Sequence, residues 1–169
     1  PPRVAWREIL RTFGSDVLNA HRTIDRARLA RRVFGNATAR RQLEAIIHPR
    51  VRRTITQRLR QLARNRRARM VVLDVPLLVE TGMQRMVDTL VVVTAPLAVQ
   101  RQRLRARGYS EREIAQRTSA QWTLSAKVGV ADAVVDNSDG FQQTRRQVKR
   151  LWKRLLGTNR RRYGSISRP

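Results

Sequence analysis

The chain has 169 residues, 41% of them hydrophobic, which suits one domain with its own core. It contains no cysteine, which excludes disulfides, thiolate zinc sites and cysteine nucleophiles, and no apolar stretch approaches the ~20 residues of a membrane-spanning helix. The formal net charge is +25 and the pI about 12.0. Only Lys127, Lys149 and Lys153 are lysines, so 34 of the 37 basic residues are arginine, spread over nearly every helical stretch. Such a balance suits phosphate neutralisation on a nucleic acid. It also arises from GC-rich codon usage, with the arginines simply solvated. Aromatic residues, at 5%, are too few for single-strand stacking platforms. No secretory signal is present, and a cytoplasmic location fits.

In chain order, residues 1–5 form a ragged start. Trp6–Phe13 reads as a helix with Ala5, Ile9, Leu10 and Phe13 on one face. Thr23–Asp25 opens another, with Thr23 as cap and Asp25 favourable at the positive dipole end. Two further helices, Ala37–Ile47 and Val51–Arg64, flank His48–Pro49, where proline is tolerated at a helix start. Met70–Val75 is short, Val-rich and almost wholly apolar, the pattern of a strand covered on both faces, and Pro76 stops it. Thr89–Thr94 and Ala133–Asp136 are two more such strands. Helix Leu97–Arg107 follows the first of these and Phe141–Leu155 the second, which predicts parallel βαβ packing. Between them lies a turn at Gly108–Ser110, with a capping box at Ser110-Glu111-Arg112-Glu113. Beyond Gly157 the tail is polar, basic and expected to be disordered. The runs Arg64–Arg69 and Arg160–Arg162 are the places where incidental anion binding is expected.

Ligands of open α/β sheets gather at the carboxyl ends of the strands, so Asp74 stands where chemistry is done. A plain turn-capping role is equally open to it. His21 and His48 are far apart and have no carboxylates at ligand spacing, so no metal site is expected.

The stretches Phe13–Gly14, Thr23–Leu29, Leu43–Val51, Asp74–Gly82, Arg103–Arg107, Ala120–Gln121 and Ala131–Ser138 resemble the dephospho-CoA kinases, of the P-loop nucleoside-kinase group. They keep the family's order and near-family spacing over most of residues 6–156. The resemblance implies an α/β fold with a three-layer parallel sheet of P-loop kinase type, a helical substrate-binding insertion and a lid. It divides a single domain, 1–156, into a helical CoA-binding part at 6–68, core segments at 69–101 and 129–156, and a lid at 102–128, with 157–169 as the basic tail. It implies transfer of the γ-phosphoryl of ATP, with magnesium, to the 3′-hydroxyl of dephospho-CoA.

Phosphoryl transfer needs positive charge where negative charge spreads in the transition state. By the resemblance, Arg103 falls on the lid arginine near the transferred group, and Arg107 follows as a second anion contact; both are also ordinary arginines in an arginine-rich chain. Asp74 completes the catalytic candidates. His48, Leu77, Leu78 and Glu80 border the acceptor pocket, although His48 equally fixes the helix junction, the leucines pack, and Glu80 serves as a helix-start charge. Asn137 falls near the adenine, where its amide suits base-edge recognition, as it also suits a turn. Gln121 and Lys127 lie on the lid side, Lys127 meeting phosphate or water.

One departure is large. No G-x-x-x-x-G-K-[ST] occurs, and none of the eight glycines precedes a lysine. That loop holds a triphosphate on backbone N–H groups and a lysine. In the family it follows the first strand, and an Asp-x-Asp segment later supplies the base. By the resemblance the chain begins ~40 residues late, about one βα unit and a strand, and Pro1–Pro2 reads like the inside of a longer protein. A truncated kinase with the first βα unit missing is favoured over a paralogue that lost the loop. An unpaired sheet edge is expected where the missing strand belongs. Two rival functions stay open: a non-catalytic interaction protein descended from a kinase, and a basic nucleic-acid binder, with nucleic acid bound only non-specifically if the kinase reading holds. Oligomeric state is not legible.

Overall fold

The computed structural model describes residues 2–33, 35–64 and 70–163. The chain divides into two units, Pro1–Val71 and Val72–Pro169, each with its own packing.

The first unit is helical. Helix α1 spans Pro2–Phe13, α2 spans Arg26–Val33 and α3 spans Ala37–Ala63. Ile9 and Phe13, four residues apart and so on one face of α1, join Val17, Leu29, Val33, Ala39 and Ile46 in its core. After Phe13 the chain turns at Gly14, whose φ of 81° suits glycine, into a short 3₁₀ turn, Ser15–Val17. Asn19 Oδ1 then accepts from His21 N and Thr23 N, and Trp6 Nε1 donates to the Arg22 carbonyl, tying this loop back to α1. Asp25, not Thr23, caps α2: its Oδ1 accepts from the N–H groups of Ala27 and Arg28. Those bonds, with the Arg28 N–H first, hold its carboxyl below the ordinary value of 3.8. Asn36 caps α3 by accepting from Ala39 N at 2.9 Å.

The expected break at His48–Pro49 is absent. Helix α3 runs through both residues, with Pro49 inside it. Proline cannot donate to the carbonyl of Ala45, which normally ends or kinks a helix. Here Arg50 braces the site: its guanidinium donates to the Ile46 carbonyl with one nitrogen and to Glu8 Oε1, on α1, with the other at 2.6 Å. Burial of Ala39 and Ile46 on the same helix holds it against α1 and α2.

In the second unit β1, Val91–Thr94, pairs in parallel with β2, Ala133–Asp136, Val91 opposite Ala133 and Thr94 opposite Asp136. Helices α4 (Leu97–Arg105), α5 (Glu111–Ser119) and α6 (Leu124–Gly129) make the crossover, and α7 (Phe141–Tyr163) follows β2. Helix α6 packs on β1 and α7 on β2. Asp132 fixes the entry to the sheet, its N–H donating to the Leu90 carbonyl and its Oδ2 accepting from Leu90 N. Val79, Leu90 and Val92 form the core beneath β1, with Leu78, Leu124 and Ala131 against them.

The predicted strand Met70–Val75 does not form. Among the described residues no ladder reaches it, and Val72 is 74% exposed. An apolar run states a preference for burial, but a strand exists only through a neighbour that takes its N–H and C=O groups. The sheet therefore has two described strands, not three, and Val91, Val93 and Val134 are exposed on it. Two smaller differences concern helix ends. Helix α4 stops at Arg105, because Gly108, at φ 84°, reverses the chain and Tyr109 N–H closes on the Leu104 carbonyl. Helix α7 continues past Gly157 to Tyr163, a glycine in a helix costing only about 1 kcal/mol relative to alanine. Of the basic run Arg64–Arg69, residues 65–69 lie outside the described residues.

Candidate functional site

Polar groups of the second unit gather at the carboxyl ends of β1 and β2. Asn137 N–H donates to the Thr94 carbonyl at 2.7 Å, carrying the ladder one residue past β2. Helix α7 clamps this end through two residues three apart: Gln147 Oε1 accepts from Asp136 N and its Nε2 donates to the Asp136 carbonyl, while Thr144 Oγ1 donates to Asn137 Oδ1 at 3.0 Å. Asp136 Oδ1 accepts from both the hydroxyl and the N–H of Ser138, which lowers its carboxyl below the ordinary 3.8. From α4, Gln100 Nε2 donates to the Ala95 carbonyl and Arg103 Nη1 to the Asn137 carbonyl at 2.8 Å. Arg103 and Asn137, two expected site residues, are thus brought together. Arg103 is exposed and spends one of its five N–H donors on this contact, so the remaining fork can meet an anion.

Asp74 is exposed and lies in the segment without a ladder, before the turn at residues 76–82. In that turn Leu77 and Leu78 are half-buried. Their carbonyls accept from Thr81, and Leu78 packs on the core beneath β1, the packing role considered for both. Glu80 closes the turn onto the segment entering α6: its Oε1 accepts from Lys127 Nζ at 2.7 Å and from Trp122 N at 3.2 Å. The two side chains are 12% and 14% exposed. Burial works to raise the Glu80 carboxyl, but the Lys127 bond and the N–H groups of Glu80 and Trp122 prevail and hold it below 4.5. Lys127 also donates to Gln121 Oε1 at 3.0 Å.

Arg107 is exposed in the turn after α4 and not on a continuous helix face with Arg103. That turn is held across by Arg105, which pairs with Glu111 at the start of α5 and holds the Glu111 carboxyl low. The expected capping box is present between Ser110 and Glu113, and Arg117 stacks over the Tyr109 ring at 4.5 Å. His48 belongs to the first unit, half-buried on α3 beside Pro49. The reading of the sequence missed Arg105–Glu111, Glu80–Lys127 and the Thr144/Gln147 clamp. Only the last leaves a trace in sequence, as two polar residues three apart just after a strand.

Parallel strands joined by a helical crossover, with polar and basic groups at their carboxyl ends, define an α/β protein of the open-sheet type that gathers ligands there. The family model for dephospho-CoA kinase matches residues 1–143. The chain belongs to the dephospho-CoA kinase family. It is 38% identical over 161 residues to the dephospho-CoA kinase of Syntrophus aciditrophicus, covering 95% of this chain and 68% of that protein. With the Moorella thermoacetica enzyme it shares 41% over 156 residues, 92% of this chain and 74% of the relative. A Thermus thermophilus protein solved by crystallography superposes with a TM-score of 0.69 at 31% identity, over 91% of this chain and 82% of that one. The dephospho-CoA kinase of Campylobacter jejuni, 21% identical over 94% of this chain and 84% of its own, shares the fold with a TM-score of 0.59. No helix among the described residues is long and apolar enough to cross a membrane.

Proposed function

We propose that the chain carries the acceptor side and the arginine-bearing lid of a cytoplasmic kinase that moves the γ-phosphoryl group of ATP to the 3′-hydroxyl of the dephospho-CoA ribose, giving coenzyme A and ADP. The observation that carries this reading is the family match from residue 1 to 143, which spans the helical unit and the sheet end alike. In it, Arg103 faces the transferred group and Arg107 a second anionic oxygen, residues 102–128 acting as the lid. Asn137 approaches the adenine with its amide NH₂, its Oδ1 being taken by Thr144. His48, in a helical CoA-binding part at 6–68, and, in the core segment that follows, Leu77, Leu78 and Glu80 serve as substrate contacts, with Asp74 as the second catalytic candidate. Glu80 is held charged by Lys127, which suits a fixed anion better than a general base.

Magnesium accompanies ATP in this chemistry. Among the described residues no group of His, Asp or Glu side chains is arranged to hold a metal ion. The Ser/Thr ligand of a phosphate loop has no counterpart in these 169 residues either. The residues present therefore lack the loop ligand that would hold the ion, which would otherwise sit on waters and the phosphates themselves.

The test is a coupled ADP-release assay with dephospho-CoA on two polypeptides. One is residues 1–169 alone; the other joins them behind the loop-bearing N-terminal segment of a relative such as the Moorella thermoacetica protein. The fusion is expected to turn over within the ~1–100 s⁻¹ usual for kinases, and the chain alone far more slowly. A folded fusion inactive on dephospho-CoA overturns the substrate. Turnover near ~1 s⁻¹ by residues 1–169 alone overturns the need for the loop.

A further inference from the structure

Between Glu44 and Asp74 the sequence runs for 29 residues without a carboxylate, and nine of them are arginine. Most of the described part of this stretch is the second half of α3, exposed along most of its length from Val51 to Ala63. Arg50 is engaged by Glu8 and the Ile46 carbonyl. Arg52, Arg53 and Arg60 are different. They line, with Pro49, Thr56 and Gln57, an open groove of ≈ 490 Å³, and among the described residues no carboxylate pairs with any of the three.

We propose that this face of α3, which lies within the part read above as CoA-binding, binds the phosphodiester backbone of nucleic acid. Arginine presents a flat fork of donors that matches phosphate oxygens, and three of them here have no anion of their own. Their layout selects the ligand. Arg52 and Arg60 are eight residues apart, ~12 Å along the helix axis at 1.5 Å per residue, so they address a row of phosphates and do not converge on one. A lipid surface is a poorer fit, because a membrane-seated helix buries large apolar side chains beside its basic ones. At 100° per residue, Val51, Ile55 and Leu62 fall on the opposite face of α3 from the groove. No aromatic side chain lines the groove to stack on a base, so backbone contacts carry the affinity, without sequence preference and with steep salt dependence.

The experiment titrates the full chain against a short labelled DNA duplex by fluorescence anisotropy over a salt series. The triple variant Arg52→Gln/Arg53→Gln/Arg60→Gln should flatten the slope of log K against log salt by about 0.9 per arginine removed. The pair Arg53→Gln/Arg60→Gln should flatten it by two such steps. Arg145→Gln/Arg146→Gln/Arg150→Gln on α7, which removes the same charge, should leave the slope unchanged. A readout on the unaltered protein stands beside the variants: bound duplex should shield Arg53 and Arg60, but not Arg145 and Arg150, from an arginine-specific dicarbonyl reagent followed by mass spectrometry. Equal effects of the two triples, or equal shielding of the two helices, means diffuse charge and overturns the proposal. Absence of salt-dependent binding overturns it as well. So does tighter binding to anionic phospholipid vesicles than to duplex at equal phosphate concentration, which assigns the face to a membrane surface.

Discussion

Arg103 on α4 and Asn137 after β2 are joined by a 2.8 Å bond from the guanidinium to the backbone carbonyl. The bond sets the distance between the crossover helices and the sheet end at one point, and it uses only a fraction of the arginine's donors. Being exposed, it adds little stability. Its value lies in aim.

In the loop-bearing fusion, Arg103→Ala is therefore expected to lower kcat far more than it raises KM for either substrate. An interaction made mainly in the transition state behaves that way. Arginines supplied to a transferring phosphoryl group are worth about 10³–10⁵ in rate, and the lower end is expected here. Arg103→Lys should rescue in part, keeping charge but losing the fork. Arg105, the nearest neighbour of the same type, is engaged with Glu111 and makes a poor control; Arg145→Ala on α7 is the better one and should stay near wild type. Equal losses for Arg103→Ala and Arg145→Ala would make Arg103 one more surface arginine.

Lys127→Met should destabilise the second unit by about 2–3 kcal/mol, because it leaves the Glu80 carboxylate largely buried without its main partner. Glu80→Gln/Lys127→Met should recover part of that loss, the buried charge having gone with its partner. Urea unfolding of the two single variants and the double measures the coupling. Strict additivity rules the pair out as a unit.

Asn36→Ala should cost about 1 kcal/mol, since the side chain satisfies the Ala39 N–H at the start of α3. Asn36→Asp should keep the bond and add a favourable charge at the helix start. Equal stability of the alanine variant and wild type in denaturant would show that the cap is dispensable.

Acid should weaken the fold in a defined direction. Glu80, Glu111 and Glu113 all have carboxyls held below 4.5, and Asp25 and Asp136 below 3.8. A folded-state value below the unfolded one gives stability that is complete above the unfolded value and is lost as pH falls through the folded one. Urea midpoints should hold steady down to about the ordinary glutamate value and fall below it. Glu113→Gln isolates one contribution, because glutamine keeps the capping box with Ser110 but cannot titrate. Its midpoint should depend less on pH in that range; an unchanged dependence would remove Glu113 from the account.

Local chemistry was legible in the sequence wherever it acts within a few residues. The strand Ala133–Asp136 has the bounds that its apolar run suggests, and the Ser110–Glu113 box forms as its spacing requires. What failed depends on partners elsewhere. Met70–Val75 has a strand's composition, yet composition says nothing of a neighbour. Pro49 reads as a helix boundary, but Arg50, reaching Glu8 far back in the chain, lets α3 pass through it. Lys127 and Glu80 meet through a turn and a helix start with no periodicity between them. Arg103 and Asn137 stood out only through their likeness to a family, and their contact could not be read from spacing.

The two-stranded sheet bears on how copies of the molecule treat one another. Among the described residues the sheet has two strands, so each is an edge with backbone groups open to pairing, and Val91 and Val93 add exposed apolar side chains to β1. Against this stands a charge of +25, of one sign on every copy. At low ionic strength mutual repulsion keeps such molecules apart. Salt shrinks its reach, from ~10 Å at 0.1 M to ~3 Å at 1 M, and leaves the apolar edges untouched. Colloidal stability in this chain is therefore expected to decline as salt rises, the arginines acting as the solubiliser of an open β edge.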